Sequence, residues 1–234
     1  MVYDNLMDHV NYQMWAEYIL KIITMHCPQV RSVIDLACGT GNLLKNLNQP
    51  DWIMFGCDIS PDMIRIFRNK LNTQSIRTLV ANILHIPIKD QKFDAILLMY
   101  DSINYLSTKK SLHHALTEIS RVLKTGGLFI FDTVTPEHCQ TYFNGEIEEH
   151  FANDLGYSRK SRYDAINQLQ SNEFIIYTPN KQFYEHHIQR IYSSMELQKY
   201  MTTTNFELIG MFNDFTFEKP SINSERIHFV CRKL

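Results

Sequence analysis

Between Val33 and Val134 the chain alternates short apolar strand segments with helical ones, and this rhythm constrains the fold most. The strand segments are "SVIDLAC", "WIMFGCD" from Trp52, "IRTLV", "FDAILLMY" and "GLFIFDTV". Between them "SPDMIRIFRNKL" starts with Ser60 as N-cap and Pro61 at the first helical position, where its missing N–H costs nothing. "KKSLHHALTEISRVLK" is expected to stop at Gly126-Gly127. Strands joined by helices at this spacing form right-handed βαβ units, so a parallel sheet is expected. Upstream, residues 13–26 place Met14, Ile19, Ile22, Ile23 and Met25 at the spacing of an amphipathic helix.

The rhythm then breaks. Over residues 135–192, aromatic or alternating segments such as "EFIIYTP" and "QFYEHHIQRIY" are separated by expected turns around Asn172 and Pro179-Asn180. This pattern predicts an inserted antiparallel unit. A helix with a capping box from Ser193 to Glu196 and two strands, near "FELIGMF" and "RIHFVCRKL", complete the chain. The 234 residues, 44% of them hydrophobic, suit one large domain or a domain with an insertion.

Composition narrows the function classes. A formal net charge of -2 exerts no long-range pull on phosphate backbones, which weighs against nucleic acid as a partner. No apolar run reaches the roughly 18 residues of a membrane span. "MVYDNLMDHV" lacks the basic region of a signal peptide, and five scattered cysteines do not make a disulfide framework. Zinc spacings are absent, so no metal is expected. A reduced, cytoplasmic compartment is the expectation.

The segment "VIDLACGTGN", Val33 to Asn42, joins the first strand to a loop with Gly39 and Gly41. A dinucleotide fingerprint would need a third glycine where Leu44 stands, and no Gly-Lys-Ser/Thr follows for a triphosphate loop. The two glycines let backbone approach a ligand closely. Asp58 ends the second strand about 20 positions on, where a carboxylate would accept both ribose hydroxyls.

Together these segments resemble class I S-adenosylmethionine (SAM)-dependent methyltransferases. "VIDLACGTGN" is similar to their first motif and "FGCDISPDMI" to their second; "ANILHIP", "KFDAILLMYDSINYL" and "VLKTGGLFIFDT" follow in the family's order. "YDNLM", "YQMW", "YFNG", "EHHIQRIY" and "ERIHFV" extend the resemblance to small bacterial YqeM-like methyltransferases and, in layout, to deoxysugar amine N-methyltransferases. The resemblance implies a Rossmann-like seven-stranded methyltransferase sheet in a single domain over residues 1–234, with a substrate cap at 135–192.

It also implies a site. Asp35, Ala37, Cys38, Gly39, Gly41 and Asn42 of the loop, with Asp58, Ile59, Met63, Asn82, Ile83, Met99 and Tyr100, are expected to hold SAM. Asp35 would order the loop or face the SAM amino group. Tyr3, Tyr12 and Trp15 lie in the N-terminal segment that covers the cofactor in this family, where an aromatic can face the sulfonium. Tyr12 and Trp15 are expected at the cofactor, Tyr3 at the acceptor with Asp101, Asn104, His186 and Arg190. Alternation along the strand puts His186 and Arg190 on one face and His187 on the other. Tyr105 stands where the related sugar enzymes carry a histidine; it is expected to orient the acceptor, with His187 or water taking the proton. The expected reaction is methyl transfer to nitrogen or oxygen of a small molecule by a monomer or homodimer. The alternatives are an RNA methyltransferase and a non-catalytic SAM-binding protein. Against the first, Tyr100-Asp101-Ser102-Ile103 replaces the N/D-P-P-Y of exocyclic-amine nucleic-acid enzymes.

Overall fold

The computed structural model describes residues 2–47, 49–71, 76–152 and 155–234. Two helices come first, α1 (Val2–Leu6) and α2 (Tyr12–His26). Then follow β1 (Ser32–Leu36), α3 (Asn42–Leu47), β2 (Ile53–Asp58), α4 (Pro61–Lys70), β3 (Ile76–Val80) and β4 (Phe93–Leu98). A 3₁₀ turn (Ser102–Tyr105), α5 (Lys109–Val122) and β5 (Leu123–Val134) close the alternating half. The chain continues with α6 (Pro136–Tyr142), β6 (Asn144–Ala152), β7 (Leu155–Asp164), β8 (Leu169–Tyr177) and β9 (Gln182–Arg190). It ends with α7 (Ser194–Thr203), β10 (Phe206–Asn213) and β11 (Arg226–Lys233).

The expected seven-stranded sheet forms in the order β10-β11-β5-β4-β1-β2-β3. β1 to β5 pair in parallel, while β11 runs antiparallel to β5 and to β10. Alternate side chains of each strand feed opposite cores. Ile34, Leu36, Ile96, Leu98, Phe129 and Phe131 pack with Leu116 and Ile119 of α5 and Leu197 and Met201 of α7. Val33, Ala95, Leu97, Leu128 and Ile130 pack with Ile19, Ile22 and Ile23 of α2, Leu44 of α3 and Phe67 of α4. Chain order reverses at β1, whose neighbours are β2 and β4, so a crevice opens past the carboxyl ends of these strands.

Three local expectations need correction. In α2 the buried face is Trp15, Ala16, Tyr18, Ile19, Ile22 and Ile23, whereas Met14 and Met25 are exposed. α5 ends at Val122, before Gly126-Gly127, because Leu123 is already extended and pairs with Phe93. Asn172 lies within β8 opposite His187, its buried Oδ1 accepting from Ser161 Oγ at 2.7 Å; the turn falls instead at residues 165–168. The N-terminal α1 had no periodic signal of its own.

The break in rhythm is the second sheet, four antiparallel strands in the order β6-β7-β8-β9. Its inner face carries Ser161, Gln170, Asn172 and Gln189, all buried and in part bonded to one another. Gln189 Nε2 donates to Asp101 Oδ2 at 2.7 Å, which anchors β9 to the carboxyl end of β4. Among the described residues no helix is long and apolar enough to cross a membrane.

Candidate active site

The loop after β1 is built from left-handed backbone. Ala37, Gly39 and Gly41 have φ of 59°, 54° and 77°. The two glycines are needed for different reasons. A Cβ on Gly41 would meet the Phe67 ring at 2.1 Å, so this glycine lets α4 pack against the loop. A Cβ on Gly39 would meet only Tyr3, at 3.8 Å, so this glycine faces the crevice. Asp58 ties the loop to β2: its carboxylate accepts from Gly39 N–H and Ser60 N–H, each at 2.8 Å. These two N–H donors engage two of the carboxylate's acceptor directions.

A pocket of about 50 Å³ lies against this loop. Its wall contains the expected Tyr12, Trp15, Asp35, Ala37, Cys38, Gly39, Asn42, Met99 and Tyr100. Tyr3, expected at the acceptor, is in the same wall, and Thr40 and Leu43 are additions. Ligand pockets usually enclose roughly 300–1,000 Å³, and here Tyr3 lies over Gly39 in the wall. Burial first, then Tyr12, Tyr100, Tyr105 and Asp58, raise the Tyr3 pKa and keep its hydroxyl protonated. Asp4 latches α1 in place. Its Oδ1 accepts from Thr40 Oγ1 at 2.6 Å, Asn42 Nδ2 at 3.0 Å and Lys70 Nζ at 2.6 Å.

Asp35 shows what the pocket suits. It is buried in the wall, and no described residue donates a hydrogen bond to its carboxylate. Burial, then the neighbouring Asp58 and Asp132, push its pKa well above the ordinary carboxylate range. Such a group gains a partner when a cation enters. SAM brings an α-ammonium and a sulfonium, and the Tyr12 and Trp15 rings present faces that attract positive charge. These residues fit the cofactor that the sequence implies.

The remaining cofactor calls lie beside this wall. Gly41 is behind the loop. Asp58, Ile59 and Met63 stand at the end of β2 and the start of α4, with Ile59 exposed. Asn82 and Ile83 follow β3, where Asn82 Oδ1 caps its own turn by accepting from Leu84 N–H at 2.9 Å.

At the end of β4, Tyr100 and Asp101 both adopt left-handed backbone, with φ of 60° and 48°. Asp101 turns inward. Its Oδ1 pairs with Arg226 at 3.0 Å, and Arg226 also pairs with the buried Asp132. The Arg226 guanidinium lies over the rings of Trp15 and Tyr100, at 5.6 and 5.3 Å. Asp101 therefore has both oxygens engaged and acts as an internal tie, not as an open acceptor contact. Asn104 is fully buried, accepting from Thr133 Oγ1 at 2.8 Å, because the 3₁₀ turn aims it at β5.

Tyr105 turns outward and is half exposed, and its hydroxyl meets His187 Nδ1 at 2.8 Å. His187 Nε2 meets Glu185 at 3.0 Å. β-strand alternation places His186 and Arg190 on the opposite face of β9, as expected, but away from the crevice. His186 bonds Ser171, and Arg190 is taken up by Gln168 and Glu196. Neither is brought to the site.

Asp4, Lys70, Glu185, Gln189 and Arg226 join the site without having been singled out. Asp4 sits inside the quoted "YDNLM", Arg226 inside "ERIHFV" and Glu185 inside "EHHIQRIY". Only Glu185 carried a readable signal, two positions from His187 and so on the same strand face.

The chain is similar to known proteins over most of its length. Residues 33–127 match the methyltransferase domain family. The chain is 29% identical to the putative methyltransferase YqeM of Bacillus subtilis (strain 168), over 99% of this chain and 94% of that protein. A crystal structure of a SAM-dependent methyltransferase from Clostridium acetobutylicum superposes with a TM-score of 0.89 at 24% identity, covering 99% of this chain and 97% of that one. A SAM-bound amino pentose methyltransferase from Micromonospora echinaspora gives 0.79 at 15% identity, covering 100% and 97%. With the loop, the buried carboxylate and the sheet order, these likenesses support a SAM-dependent methyltransferase enzyme.

Proposed function

We propose that the chain methylates a nitrogen or oxygen of a small molecule held between the crevice and the inner face of the four-stranded sheet, with residues 135–192 as the acceptor cap. The observation that carries this reading is the Tyr105–His187 contact of 2.8 Å. It brings a side chain from the end of β4 and one from the inserted sheet to the same mouth. The net charge of -2 supports a small acceptor over a polyanion. The likeness to an amino pentose methyltransferase supports a nitrogen acceptor as one case.

SAM, when bound, supplies an activated methyl group on a sulfonium. The protein's part is alignment. Asp35 and Asp58 hold the two ends of the cofactor, Trp15 and Tyr12 cover it, and Tyr105 orients the acceptor. The test is a methylation screen of amines, alcohols and phenols with methyl-labelled SAM. Tyr105→Phe is expected to lower kcat about tenfold or more on the acceptor found, while SAM affinity stays at the wild-type value. Full turnover in that variant removes Tyr105 from acceptor orientation, and labelling of RNA alone overturns the small-molecule reading.

A further inference from the structure

Three side chains form one hydrogen-bonded line at the mouth of the crevice. Tyr105 Oη meets His187 Nδ1 at 2.8 Å, and His187 Nε2 meets Glu185 Oε2 at 3.0 Å. Glu185 and His187 are two apart on β9 and share its inner face. The imidazole lies near the Phe174 ring of β8 at a steep angle, with ring centroids 5.3 Å apart.

The chemistry of the three groups sets the direction of every bond. An ionised carboxylate only accepts, so His187 Nε2 carries the hydrogen. A neutral imidazole has one such hydrogen, so Nδ1 is the bare nitrogen. Tyr105 then donates its O–H to Nδ1, and its oxygen lone pairs are left for an acceptor's N–H or O–H. The line is reachable: Tyr105 is 51% exposed, and the side chains of His187 and Glu185 are 32% and 52% exposed.

A plain structural tie explains less. β9 is already anchored by Gln189, which is buried and bonded to Asp101 two residues along the same face. An exposed second tie adds little stability. A tie through Tyr105 and His187 also needs no carboxylate behind the imidazole. The same arrangement of carboxylate, imidazole and hydroxyl fixes the tautomer of a general base.

Resting on the function proposed above, we infer that Glu185 is the positioning residue of a proton relay, Glu185–His187–Tyr105, that removes the acceptor's proton during methyl transfer. The acceptor's lone pair forms the bond to the methyl carbon as the carbon–sulfur bond breaks, its electron pair staying on sulfur in S-adenosylhomocysteine. The acceptor's proton passes to Tyr105 Oη while Tyr105's own proton passes to His187 Nδ1. Glu185 stabilises the imidazolium, which later releases the proton to water. The other ionisable groups facing Tyr105 are Asp101 and Tyr3. With burial, Asp101 and Glu185 hold the phenol in its protonated form, so Tyr105 works as a conduit and not as a standing phenolate. The acceptor class follows: its attacking atom bears an exchangeable proton, as in primary and secondary amines, alcohols and phenols.

The first arm of the test is nitrogen NMR of the histidine rings in the full-length protein and needs no acceptor. The Nε2–H tautomer of His187 is expected in the wild type and in Tyr105→Phe, and a shift toward a mixture in Glu185→Ala. A wild-type Nδ1–H tautomer, or no change in Glu185→Ala, overturns the relay. The second arm measures turnover with methyl-labelled SAM on a panel of primary amines, secondary amines and phenols. Glu185→Gln is expected to slow kcat at least about tenfold with KM for SAM unchanged. A slow Tyr105→Phe beside a fully active Glu185→Gln overturns the relay and leaves the acceptor site standing. Full activity in both overturns the relay and the acceptor role of Tyr105 together. If no panel member is methylated, the tautomer result decides.

Discussion

The carboxylate of Asp58 and the backbone N–H of Gly39 meet at 2.8 Å, so the acid at the end of β2 holds the glycine loop of β1 in shape. On the proposed reading the same carboxylate also accepts the ribose hydroxyls. Asp58→Ala removes both functions. SAM affinity is expected to fall at least about tenfold, the value of one charged hydrogen bond of roughly 1.5–3 kcal/mol. Isothermal calorimetry checks this. Wild-type affinity in the variant removes the ribose role.

Asp35 gives a pH signature. Its pKa is raised by burial and then by Asp58 and Asp132. Between the unfolded carboxylate value near 3.9 and that raised value, the native state binds more protons than the unfolded state. Its contribution to stability therefore falls as pH rises through this window. A bound ammonium favours the ionised form, so SAM should bind more tightly as pH rises over the same window. Asp35→Asn should flatten both trends and weaken SAM at neutral pH. Denaturation and calorimetry across a pH series test it; an unchanged slope in the variant excludes Asp35 as the source.

Lys70 and Asp4 hold α1 down, with Tyr3 over the pocket. Cofactor entry into about 50 Å³ is expected to lift this segment. Asp4→Asn and Lys70→Met are each expected to speed both SAM association and release several-fold, since each weakens a charge-assisted contact. Stopped-flow tryptophan fluorescence follows this, because Trp15 lines the pocket. Rates equal to wild type mean that α1 is no gate.

Gly41 and Gly39 should respond differently to alanine. Gly41→Ala combines left-handed strain with overlap on Phe67, and is expected to cost about 2–4 kcal/mol, or several degrees in Tm. Gly39→Ala meets only an ordinary contact with Tyr3, so about 1–2 kcal/mol of strain is expected, with the larger loss in SAM binding. Equal Tm losses in the two variants contradict the separate roles.

Arg226 is the lone described cation paired with Asp101 and Asp132. Arg226→Met strands two buried carboxylates and is expected to destabilise the fold by about 3–5 kcal/mol. Thermal unfolding measures it, and a loss under about 1 kcal/mol argues that one carboxylate is already protonated.

The sheet was legible because local patterns set it. Apolar alternation fixed which side of β1, β4 and β5 faces each core, Ser60-Pro61 marked the start of α4, and Ser193 with Glu196 marked α7. The glycine loop and Asp58 were legible because left-handed backbone and a strand-end carboxylate leave a signature at fixed spacing. Sequence alternation also separated His187 from His186 and Arg190, but it could not say which face of β9 turns toward the crevice. That depends on how the inserted sheet docks, which Gln189 and Asp101 decide across 88 positions. The inward turn of Asp101, the outward turn of Tyr105 and the pairing of Arg226 likewise arise from contacts between elements distant in the chain. Periodicity records only whether a side chain is buried or exposed within its own element. Which partner meets it, and whether a carboxylate like Asp35 is left without one, is set by tertiary packing alone.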